Sequence, residues 1–169
     1  PMTIRFPRPV FDANAGSGKG LGKLPEWDLS DLYKAPEAPE LTRDMAWLEG
    51  ACAAFAADYE DRLATLDAAG MLDCIHRYER IESVAGRIMS FAGLRYYQNT
   101  MDAGRAKFMS DCQDQITGFT TPLVFFSLEF NRIEDDAYKA LFTANPEIGR
   151  YKPVFDRMRG PAARVLRTF

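Results

Sequence analysis

The sequence predicts an all-α fold: long antiparallel amphipathic helices, a helical hairpin or bundle, followed by shorter C-terminal helices. Three observations predict it. Apolar residues recur every three or four positions through three long segments. No stretch alternates apolar and polar residues with period two over a useful length, so no strand is required. The segment boundaries fall at proline, Asx residues and glycine, which start and stop helices.

Residues 1–26 read as an irregular lead, with proline at positions 7, 9 and 25 and a glycine-rich run from Gly16 to Lys23. That run is not a phosphate loop, which needs Gly, four residues, Gly-Lys and then Ser or Thr for magnesium. Ala13 stands five before Gly18 and Gly20 follows Lys19; Ser17 stands five before Gly22 and Leu24 follows Lys23. The segment is a linker. Next comes Trp27-Asp28-Leu29-Ser30-Asp31-Leu32-Tyr33, long enough for one turn capped by Asp28 or Ser30. So short a piece is unstable alone, so Trp27, Leu29, Leu32 and Tyr33 are expected to dock on something larger.

The first long helix starts near Pro39, whose missing N–H costs nothing at a first helical position. Leu41, Met45, Leu48, Cys52, Phe55, Tyr59 and Leu63 form its apolar stripe, with Arg43, Glu49, Asp58 and Asp61 opposite. The second runs from about Ala68 to Asn99, about 45 Å at the helical rise. Its stripe is Leu72, Ile75, Tyr78, Ala85, Ile88, Ala92 and Tyr96, widened by Ile81 and Val84; Arg77, Glu79, Arg80, Glu82 and Arg87 form its polar face. Thr100 and Asp102 mark a break and a new cap. The third helix spans roughly Asp102 to Phe130, and Pro122 within it predicts a kink or a split. Phe119, Phe125, Phe126 and Phe130 surround that proline and are expected to be the best-buried part. A short helix then begins near Asp135 or Asp136 with Tyr138, Leu141 and Phe142. Another starts at Asn145-Pro146, carries Ile148, Tyr151, Phe155 and Met158 with Pro153 inside, and ends at Gly160-Pro161.

Composition narrows the function classes. A length of 169 residues suits one domain able to bury a core without disulfides. The net charge of −3, with Lys and Arg scattered among acids, argues against a nucleic-acid partner. The longest apolar stretch, Pro122 to Phe126, is far short of a membrane span, and the N-terminus lacks a signal peptide's apolar region. A soluble, cytoplasmic protein is expected. Cys52, Cys74 and Cys112 are odd in number, far apart and unpaired in spacing, so they read as buried thiols in a reducing compartment.

His76 is the single histidine, which removes most metal and acid–base chemistry. A zinc-protease helix needs two imidazoles at i and i+4 so that both reach one metal. A di-iron bundle needs repeated Glu-x-x-His pairs, and only Asp73-x-x-His76 is present. His76 reads as a helix-surface or boundary residue. Glu134, Asp135 and Asp136 read as solvated charges favourable to a helix start. Tyr96-Tyr97-Gln98-Asn99 could line a ligand groove, although one packed tyrosine and one at the rim is the commoner arrangement.

The segment Trp27 to Tyr33 resembles the opening of the oligoendopeptidase F family, thimet-type zinc metallopeptidases that begin with Trp-Asp-Leu-x-Asp-Leu-Tyr and continue into long amphipathic helices. Further pieces are similar in the same order: Tyr59 to Leu63, Tyr78-Glu79, Arg87 through Phe91-Ala92-Gly93-Leu94 to Asn99-Thr100-Met101-Asp102, and Leu141 through Tyr151 and Phe155 to Arg159. The resemblance covers about residues 24–159, and its first piece is the most specific. It implies that residues 27–159 are the N-terminal helical domain of such an enzyme, part of the wall of a deep channel that admits flexible peptides and excludes folded proteins. It implies hydrolysis of short peptides by the full-length enzyme, with zinc held by a His-Glu-x-x-His helix and a more distant glutamate far downstream. No position here matches those elements, so no catalytic, metal or cofactor-binding residue is carried over, and this chain alone is expected to be inactive. The implied partners are the remainder of the peptidase, with its catalytic domain, and short peptides; a dimer of the fragment is also compatible. Residues 160–169 depart from the family's helix and acid-rich connection and read as a reading-frame junction or as divergence. The competing reading is a self-standing helical module for protein interaction or dimerisation, without enzymatic activity.

Overall fold

A computed structural model describes residues 27–159. The expected lead (1–26) and tail (160–169) lie outside the described residues. Within them the chain is all-helical, with no strand. The elements are α1 (Pro39–Tyr59), α2 (Ala68–Gln98), α3 (Ala103–Thr120), α4 (Val124–Arg132), α5 (Asp135–Thr143), α6 (Pro146–Gly149) and α7 (Lys152–Met158), with 3-10 turns at Leu63–Thr65 and Thr121–Leu123. No helix among the described residues is long and apolar enough to cross a membrane.

Local chemistry sets the boundaries. Pro39 opens α1. Asp67 caps α2 by accepting from the Gly70 amide, and Asp102 caps α3 by accepting from Gly104 and Arg105. Asn145 caps α6 through the amides of Glu147 and Ile148. Pro122 splits the third predicted helix: it lies in the 3-10 turn that separates α3 from α4. Gly149 sits where an added Cβ would lie 3.1 Å from the Phe142 carbonyl oxygen, so a side chain there would require that backbone to give by a few tenths of an ångström.

Residue pairs fix the direction of α2 against α1. Asp44 meets Arg87, Trp47 meets Arg80 and Tyr59 meets Asp73, so the two helices run in opposite directions. The core between α1, α2 and α4 is aromatic. Phe55 is fully buried with Tyr59, Tyr78, Phe125 and Phe126 around it at 4.9 to 5.9 Å. Tyr78 stacks on Phe126 at 4.5 Å. Phe130 continues the cluster towards α5 and α7, with Phe155 at 4.3 Å and Tyr138 and Phe142 at its edges.

Five expectations need correction. Leu63 does not extend α1; the helix ends at Tyr59, Asp61 takes a left-handed φ of 62°, and a 3-10 turn returns Leu63 to the core. The carboxylate of Glu129 on α4 holds this turn by accepting from the amides of Asp61 and Leu63. The α2 stripe is wider than read: Met71, Cys74 and Phe91 are buried while Leu72, Tyr78 and Tyr96 are half-buried. The reason is that α2 packs against both α1 and α3. Phe119 is only half-buried, unlike Phe125, Phe126 and Phe130. The final helix is two, α6 and α7, because Pro153 has no amide proton and fits only the first turn of a new helix. Finally, Trp27 does not dock; it is 59% exposed and held through its carbonyl, which accepts from Gln98 Nε2 at 2.7 Å.

Tyr33, by contrast, docks fully. Its hydroxyl donates to Asp44 Oδ2 at 2.8 Å and accepts from Arg87 Nε at 3.0 Å, while the Arg87 guanidinium also bonds Asp44. Asp44 is a buried charged residue of the core, 8% exposed, and lies off the expected polar face of α1. Burial, reinforced by the Asp44 carboxylate, pushes the Tyr33 phenol up to about 12.

Candidate functional site

A groove of about 580 Å³ lies between α2 and α7, floored by α4. Its α2 wall is Ile75, Tyr78, Glu79, Glu82 and Ser83. These positions recur at three and four, so one helix face presents apolar residues below and carboxylates at the edge. Phe126 lies at the floor, stacked on Tyr78, with Phe155 edge-on to it at 6.2 Å. Tyr151, Val154 and Met158 complete the far wall. Tyr151 Oη donates to Glu79 Oε2 at 2.9 Å, tying the loop before α7 to α2. That bond raises the Tyr151 phenol above its ordinary value. Burial, then the nearby Glu82 charge, raises that of Tyr78.

A second hollow of about 260 Å³ is lined by Trp47, Ala51, Arg77, Arg80 and Ile81. Its cations are engaged: Arg80 lies over the Trp47 ring at 4.7 Å, and Arg77 pairs with Asp58 at 2.8 Å. Arg77 also donates to the Tyr59 hydroxyl, which itself donates to Asp73 at 2.7 Å.

The structure does not bring the sequence-singled residues together. His76 is an exposed residue of α2, its ring edge-on to Tyr151 at 6.0 Å and outside the groove lining. Tyr96 is half-buried and Tyr97 is 62% exposed; neither lines a described groove. Asp135 at the start of α5 accepts from Arg159 at 2.9 Å, and Glu134 and Asp136 are exposed. Cys52, Cys74 and Cys112 are buried, one on each of the three long helices, and burial pushes their thiols up to about 11, 12 and 11. Neutral thiols at such values are poor nucleophiles.

Among the described residues no three His, Cys, Asp or Glu side chains cluster so as to hold a metal ion. The zinc implied by the family resemblance therefore does not fit these residues, and no chemical step is assigned to it here. Sequence reading missed the groove because its residues come from positions 75–83, 126 and 151–158, and no spacing along the chain announces such a meeting. The available signal was the pair Glu79 and Glu82 flanking an apolar stripe, read only as a solvated face. No protein-family model, curated protein or solved structure matches this chain.

Proposed function

We propose that the chain is the N-terminal, channel-wall domain of a zinc-dependent oligoendopeptidase that hydrolyses short peptides. The observation that carries this reading is the Trp27-Asp28-Leu29-Ser30-Asp31-Leu32-Tyr33 segment, followed in order by the other pieces that resemble the oligoendopeptidase F family. That segment is joined to the helices at its aromatic end. Leu29 and Leu32 pack against the core, and Tyr33 reaches the Asp44–Arg87 pair, so the aromatic end of the motif anchors the chain across both long helices. Rigid helices of this length suit a wall: they shape a space that an extended peptide enters and a folded protein does not. With one histidine in 169 residues, the zinc and the water it activates belong to polypeptide outside this sequence.

The test is to read the gene past codon 169 and express the whole open reading frame. The expected product carries a His-Glu-x-x-His helix, binds zinc stoichiometrically and cleaves a quenched fluorescent peptide, while the 169-residue chain alone does neither. A full-frame product with no zinc and no peptidase activity overturns the reading.

A further inference from the structure

Guanidinium groups over aromatic rings recur in this molecule, and so does the carboxylate that completes them. Arg77 lies over Tyr59, Arg87 over Tyr33 and Arg159 over Tyr138, at 4.2 to 5.0 Å. Each of these also pairs with a carboxylate: Arg77 with Asp58, Arg87 with Asp44 and Arg159 with Asp135. Lys152, over the Tyr138 ring, does the same with Asp156. Arg80 is stacked in the same way, 4.7 Å over the Trp47 ring, but among the described residues no carboxylate pairs with it. Other exposed arginines, Arg132 and Arg150 among them, also lack an ion pair, so that lack alone selects nothing. What sets Arg80 apart is that a ring holds it at the wall of a hollow of about 260 Å³.

The hollow lies on the seam between α1 and α2. Along that seam α1 supplies Asp44 opposite Arg87 and Asp58 opposite Arg77. Opposite Arg80, between those two acids, it supplies Trp47 and Ala51, whose side chains accept no hydrogen bond. The other lining residues, Arg77 and Ile81, bring no acceptor side chain either. Stacking occupies the face of a guanidinium and leaves its N–H edge free for the two parallel bonds that a carboxylate accepts. The volume lies below the range of drug-sized ligand sites and suits a carboxylate on a short stem. We propose that this hollow binds a small carboxylate, free or at the end of a peptide, with its oxygens against the edge of Arg80 and its stem beside Ala51. It takes the place that Asp44, Asp58 and Asp135 take at the other stacked arginines. This goes beyond the peptidase reading and does not rest on it.

The probes are propionate and acetylated triglycine with a free C-terminus, each beside its amide twin, at constant ionic strength. They are titrated into the full 169-residue chain, isotope-labelled, while NMR follows the indole N–H resonances of Trp47 and Trp27. The Trp47 resonance should shift saturably with either acid, with a Kd on the order of millimolar, and Trp27, outside the hollow's lining, should not move. Each acid should bind about tenfold tighter than its amide. Both acids binding supports the proposal, and the tighter one names the source, a free acid or a chain end. Arg80→Gln should weaken binding about tenfold. Ala51→Glu, which puts a carboxylate on α1 opposite Arg80, should abolish the shift, with circular dichroism showing that both variants are folded. Arg132→Gln, at another exposed arginine without an ion pair, should change nothing. The proposal is overturned by a shift that does not saturate, by equal affinity for acid and amide, by an unaltered Kd in Arg80→Gln, or by an equal loss in Arg132→Gln. It is also overturned if the acids bind only after Asp12→Asn/Glu26→Gln, which would assign the hollow to the chain's own carboxylates.

Discussion

At the scale of single residues, the Asp44–Tyr33–Arg87 triad shows how a charge is kept in a core. A buried carboxylate is tolerated when its oxygens are satisfied, and here a phenol and a guanidinium satisfy one of them, with Arg43 at 3.4 Å from the other. Asp44→Ala should destabilise the chain by about 2–3 kcal/mol, less than for a fully buried pair because Arg87 reaches solvent. Tyr33→Phe should cost about 1 kcal/mol. Urea unfolding followed by circular dichroism measures both. Alkaline pH reaches the same chemistry. Tyr33 and Tyr59 both have phenols pushed from the ordinary 10 up to about 12, first by burial and then by the carboxylates they donate to. A raised folded value favours the protonated form, so this stability is fully present below pH 10 and is lost as pH rises from 10 through 12. Tyrosinate absorbance and helical signal should change together across that window, and in Tyr33→Phe/Tyr59→Phe the unfolding should depend less steeply on pH. Docking of Tyr33 was expected, and Asp44 stands three after Leu41 and four before Leu48, in step with the apolar stripe. Its pairing with Arg87 was hidden, because it exists only once α2 lies against α1.

At the scale of elements, the sequence was informative wherever a local rule decided the outcome. Asp102 and Asn145 cap the helices expected of them, because an Asx side chain meets amides two and three residues on whatever the surroundings. Replacing either by Ala should cost about 1 kcal/mol, read from thermal or urea unfolding. Pro122 and Pro153 both start new elements, and only the first was anticipated as a break. The turn after α1 was hidden, since it depends on Glu129 arriving from α4 to accept two amides. Asp61 tolerates its left-handed backbone as Asp and Asn do. Asp61→Gly should leave stability within about 0.5 kcal/mol, whereas the β-branched Asp61→Val should lose about 1–2 kcal/mol; unfolding midpoints distinguish the two.

At the scale of the whole molecule, periodicity made the class and the three long helices legible, because each must bury an apolar stripe along its length. The breadth of the buried face of α2 was not, since that reports how many neighbours it has. The groove was illegible for the same reason: it is made by α7 returning beside α2. Truncating the aromatic hub should have the largest effect on the whole. Phe130 is fully buried and ringed by Phe126, Tyr138, Phe142 and Phe155. Phe130→Ala should cost about 3–5 kcal/mol, visible as a large fall in the unfolding midpoint.

Arg159 carries this last contact network to its end. Its side chain is 6% exposed; it donates to the carbonyls of Phe130 and Ile133 and to Asp135, and its guanidinium lies over the Tyr138 ring at 4.2 Å. Those carbonyls close α4, so the residue that seals a helix end arrives 26 to 29 positions later. A nascent chain that has emerged as far as Met158 therefore has a hub whose lid is still one residue away. The C-terminal half of the domain should snap shut as a unit only once that arginine has emerged, and a protease cutting between α6 and α7 should release the pair and loosen α4 and α5 with it.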